Sequence, residues 1–135
     1  MQATPFNPEK DIPPIPFDEQ ICYAAERLKM FGLPWEPHAG CFVRDPQGFI
    51  QAPSPFPNRI YFILNLNRFL DIFHTVEQMK NHLVWLPTWH QARMLCRNYG
   101  VTDELLLKDI ANAHPMNPQI ELLMLYERLV SAIEK

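Results

Sequence analysis

Few residues in this sequence have the types and spacing that chemistry needs. His90, Arg93 and Arg97 stand at i, i+3 and i+7, so on a helix they share one face. Such a face gathers positive charge, and its two guanidinium forks suit a carboxylate or a phosphate bound through paired N–H donors. The same pattern also describes an ordinary solvated helix face whose charges pair within the chain. His38-x-x-Cys41 is a His/Cys pair at ligand-like spacing. It would supply two of the four ligands of a structural zinc site, or an imidazole beside a thiolate nucleophile. Neither chemistry is complete, because the sequence offers no second close pair and no third group to orient the imidazole. No metal and no cofactor is therefore expected, and Cys41 reads equally well as a small buried residue at the start of a strand. Trp35, within Leu33-Pro34-Trp35-Glu36-Pro37, is either a rigidly presented anchor for a partner or a lid packed on the core.

The remaining chemical types fall away on spacing. His74, His82 and His90 lie eight residues apart each time, which turns each roughly 80° from the last on a helix. Asp71 and Glu77 cannot be named an acid/base pair, since such pairs are defined by separation in space. The 4 glycines build neither a phosphate-binding loop nor a dinucleotide fingerprint. Ser54 and Ser131 sit in no nucleophile elbow. Thr75, Thr88 and Thr102 are better read as helix caps.

The elements that must position these residues follow from punctuation and periodicity. Residues 1–16 hold Pro5, Pro8, Pro13, Pro14 and Pro16, which disfavours helix and central strand and implies an extended arm. Phe6, Ile12, Ile15 and Phe17 would strap that arm to a body spanning 17–135. Asp18 is an N-cap, Ile21, Ala24, Ala25, Leu28 and Phe31 follow at helical spacing, and Gly32 ends the run. Asp45-Pro46-Gln47-Gly48 has the order of a type I turn, predicting a β-hairpin between Cys41–Arg44 and Phe49–Gln51.

Beyond that point the reading is helical. Asn58 would cap a segment with Phe62, Leu66, Phe69, Leu70 and Phe73 on one face, although Ile60–Leu64 also fits a buried strand. Thr75 with Gln78 forms a capping-box pattern, and Val84-Trp85-Leu86 reads as a short extended segment. Thr88 caps a helix with a buried stripe of Trp89, Ala92, Cys96 and Tyr99, closed by Gly100. Thr102 caps the next, with Leu105, Leu106, Ile110 and Ala113 as its apolar positions, and Asn117-Pro118 opens the last. The expected fold is thus mainly α with a minor β part, a single domain of five or six short helices with one hairpin and the proline-rich arm.

Composition bounds the function. The 135 residues are 47% hydrophobic and 12% aromatic, enough for one domain with its own core. Twelve basic against 15 acidic side chains leave a net charge of −3, which argues against a nucleic-acid binder even though residues 59–97 carry a local basic excess. Three widely spaced cysteines, Cys22, Cys41 and Cys96, suit a reducing compartment. The start lacks a basic then apolar signal, and no apolar run approaches the ~20 residues of a membrane span. A cytoplasmic protein is expected. The last helix is apolar around its whole circumference between Ile120 and Tyr126, which predicts a homodimer with Leu122, Met124 or Leu125 at the seam; otherwise the arm folds over that surface through Ile12, Ile15 and Phe17. Missing catalytic motifs favour a non-catalytic protein-interaction or regulatory module. The competing expectation is an anion-binding protein or enzyme using His90, Arg93 and Arg97 together with His38 and Cys41.

Overall fold

Side-chain caps start the helices, most of them where the sequence places them. The Asp18 carboxylate accepts the Ile21 N–H ahead of α1 (Glu19–Met30), and Asn65 accepts the Asn67 N–H ahead of α2 (Leu66–Phe73). Thr75 does the same for α3 (Val76–His82), although its own N–H goes to the Phe73 carbonyl rather than to Gln78. Thr88 forms a complete capping box with Gln91 at the start of α4 (Trp89–Asn98). Thr102 caps α5 (Asp103–Asn112), and Asn117 precedes Pro118 at the head of α6 (Pro118–Glu134). Gly32 and Gly100 follow α1 and α4 with φ of 85° and 80°, a left-handed turn that lets the next residue bond back into the helix. The computed structural model describes residue 7 and residues 9–54, 56–113 and 117–134. Among them are these six helices, three strands and a 3₁₀ turn at Pro57–Arg59: a mainly α domain with minor β.

The sheet departs from the expected hairpin. β1 (Phe42–Arg44) lies between β2 (Ile60–Phe62) and β3 (Val84–Leu86), antiparallel to both, with Val43 opposite Tyr61 and Trp85. The turn at Asp45–Gly48 forms, but Phe49–Gln51 is not a strand. The reason is Asp45, which is fully buried and accepts the N–H groups of Phe49 and Ile50 on its carboxylate. A side chain thus takes donors that a returning strand would have turned to β1. Arg59 closes the arrangement, donating to the Asp45 and Ile50 carbonyls. Nor does Asn58 cap a helix. Asn58 and Arg59 adopt φ of 63° and 59°, and the branched and aromatic run that follows pairs as β2. Helix resumes only after Asn65.

Alternation along the strands divides the core in two. Cys41, Val43 and Ile63 face one side, where Phe69 and Phe73 of α2, Met79 of α3, and Leu83 close a smaller core. Ile60, Val84 and Leu86 face the other, against a bundle of α1, α4 and α6. There α1 buries Ile21, Ala24, Ala25 and Leu28 against Leu122, Leu125, Tyr126 and Leu129 of α6. Each large side chain so enclosed is worth roughly 1.5–3 kcal/mol. Helix α5 buries only Leu106 and is the most weakly embedded helix of the bundle. Of the arm, residues 9–16 are turns and bends without helix or strand. Ile15 packs on the bundle core, and the buried Phe17 meets Phe42 at 5.3 Å, while Ile12 is 91% exposed and straps nothing. Phe6 lies outside the described residues. Among those described, no helix is long and apolar enough to cross a membrane.

Candidate functional site

The cationic face of α4 is present, but both of its arginines are paired with a counter-ion of the chain itself. Arg93 and Arg97 both reach the carboxylate of Asp103, at 3.3 and 3.2 Å, and Arg93 also lies over the Trp89 ring, 5.6 Å from its centre. Asp103 opens α5, where its charge also favours the positive helix end. The face that was to receive an external anion therefore joins α4 to α5. His90 is exposed on α4.

His38 and Cys41 do not join that face. Cys41 is fully buried in the core on the opposite side of the sheet, its thiol pushed up from the ordinary range by burial. His38 is exposed, with Nδ1 2.8 Å from the Ala39 carbonyl oxygen. A buried thiol and an exposed imidazole form neither a nucleophile pair nor half of a metal site. Cys22 and Cys96 are likewise buried free thiols pushed up to about 11 by desolvation. Among the described residues, no three His, Cys, Asp or Glu side chains converge as metal ligands. Trp35 is half-buried and stacks on Trp85 at 6.0 Å with an 11° interplanar angle, which makes it a lid beside the sheet.

A different site emerges where α4, α5 and α6 meet. A groove of about 230 Å³ opens there. Trp89 and Arg93, one turn apart, line it from α4. Helix α5 contributes Leu106, Asp109 and Ile110 at i, i+3 and i+4, with Leu107 on the rim, 64% exposed. Helix α6 presents Glu121, Met124 and Leu125, again at i, i+3 and i+4. Trp89 is in this groove rather than in the core because Ala92 and Cys96 draw α4 close onto α6. The Cys96 thiol reaches the Leu125 carbonyl at 3.8 Å, and so tight a seam leaves no room for an indole. Trp89 stays 46% exposed, and Tyr99 at the other end of the expected stripe is exposed too.

The polar groups around the groove are mostly committed. Arg128 donates to both Asp109 oxygens, at 2.6 and 2.8 Å, and those bonds hold the Asp109 carboxyl below the usual carboxylate range. Arg93 is fixed by Asp103 and Trp89. Glu121 alone among the described charged residues of the groove has no ion pair. The residues expected at a dimer seam divide likewise: Leu122 and Leu125 are 1% and 2% exposed within the chain's own core, and only Met124 reaches the surface. The apolar circumference of α6 is satisfied by α1 on one side and α4 on the other, so those two leucines cannot form a seam.

The sequence marked Ile110 only as an apolar position of its helix, and singled out Leu107, Asp109 and Glu121 for no role at a site. The i+3 and i+4 spacings were visible, but nothing showed that three helix faces would converge. The fold defines a class: a helical bundle and a helix pair on either side of a three-stranded antiparallel sheet. Compared with family profiles, curated proteins and solved structures, the chain matches none.

Proposed function

We propose that this chain is a non-catalytic, cytoplasmic protein-interaction module that docks a partner protein through the α4–α5–α6 groove. The observation that carries this reading is the groove itself: an open, largely apolar cleft with Trp89 and Arg93 on its wall. These are residue types that dominate binding energy at protein interfaces. Size supports an anchor side chain over a metabolite, since 230 Å³ falls below the roughly 300–1,000 Å³ of small-molecule sites. The competing anion site loses support from the pairing of Arg93 and Arg97 with Asp103. Self-association through α6 loses support from the burial of Leu122 and Leu125. The cytoplasmic assignment rests on the odd, widely spaced and buried thiols.

A photo-crosslinking amino acid at Leu107, compared with one at the still more exposed Leu64, tests this in the native cell. Leu64 is 79% exposed and lies beyond β2, away from the groove. A discrete protein adduct at Leu107 and none at Leu64 is expected. Equal labelling at both, or none at Leu107, would refute the docking surface.

A further inference from the structure

We infer that the groove's occupant is a peptide segment carrying an apolar anchor side chain with a lysine or arginine close by, the cation pairing with Glu121; this rests on the docking reading above. Charge complementarity selects this chemistry. Arg93 is held between Asp103 and the Trp89 ring, and Asp109 is held by two N–H donors of Arg128. An incoming anion would have to break one of those pairs, whereas an incoming cation finds Glu121 ready. Glu121 is half-buried, so a charge brought to it is less screened than at an open surface. Its neighbour on the same α6 face, the half-buried Met124 beside the core residue Leu125, places the apolar floor one turn further along. Anchor and cation are therefore read by one helix face, and a segment that satisfies both must keep them within a few residues of each other.

A random 12-residue peptide library displayed on phage and selected against the purified full chain tests the inference. Enriched peptides should combine a large apolar residue with Lys or Arg within about four positions. Synthetic copies should bind the unaltered chain, lose binding to Leu107→Asp, and weaken on the order of tenfold or more on Glu121→Lys, with salt weakening the pair. Thermal melts of both variants confirm folding, since the substituted side chains are outside the core. Peptides with apolar anchors but no basic preference, bound equally by Glu121→Lys, would overturn the cationic requirement while leaving the docking groove intact. Peptides indifferent to Leu107→Asp, or no enrichment at all, would overturn both. A dimer that dissociates on Leu107→Asp would make the occupant a second copy and overturn the inference.

Discussion

Tyr126 shows how a single buried polar group can tie two elements. It is fully enclosed, and its hydroxyl donates to the carbonyl of Pro87, just after β3, while burial pushes its ionisation well above the ordinary tyrosine range. Tyr126→Phe keeps the ring but strands that carbonyl in the core. Urea unfolding should report a loss of about 1–3 kcal/mol. A change under about half a kcal/mol, the range of an inconsequential surface substitution, would mean the bond contributes nothing. The cysteines make a second test. Desolvation raises all three thiols, so they are neither exposed nor ionised at neutral pH. A thiol reagent should find almost no reactivity in the native protein and three groups once denaturant is added. Rapid native labelling would contradict their burial.

Beyond the apolar faces they bury, the bundle helices are held by caps and by a few long-range ion pairs, whose separate contributions substitution can isolate. Thr88 closes a two-way box with Gln91, so Thr88→Ala should cost roughly 1 kcal/mol and Thr88→Ser much less. Equal losses from the two would remove the hydroxyl from the explanation. Helix α5 depends on Leu106, on the pairing of Asp103 with Arg93 and Arg97, and on the Arg128–Asp109 pair. Because the folded carboxyl of Asp109 is depressed, the pair's contribution is fully present above the unfolded value near 3.8 and is lost as pH falls through the lower folded value. Both side chains are partly exposed, so the stabilisation is modest, about 0.2–1 kcal/mol. Asp109→Asn should be less stable than the unaltered chain at neutral pH, and the difference should vanish in strong acid. A difference that persists there would assign the effect to packing rather than charge.

For the molecule taken whole, α6 commits Leu122, Leu125, Tyr126, Leu129 and Val130 to the interior and leaves Ile120, Leu123, Met124 and Ile133 half-buried rather than open. Sedimentation at micromolar concentration should therefore find a single species near 15.9 kDa, unchanged on concentrating. A mass near twice that value would show that another surface associates.

The elements legible in the sequence are those that depend on neighbours a few residues away. Asp18, Thr88, Thr102 and Asn117 cap helices because the cap bond spans three positions. Gly32 and Gly100 end helices because the left-handed turn is a local conformation. Val84-Trp85-Leu86 is extended, as its run of apolar residues implied. Features that join distant residues were not legible. A turn sequence at Asp45–Gly48 implies a returning strand, yet whether Phe49 and Ile50 pair with β1 depends on Asp45 being buried beside Arg59. The charge of Arg93 and Arg97 was readable from spacing; that Asp103 neutralises them required α5 to fold back beside α4. The same holds for Glu121, which is an ordinary polar position on α6 until three helix faces meet around it. Local hydrogen bonds are specified by adjacent residues, whereas pairing across the fold is a competition among many partners settled by which surfaces become buried together.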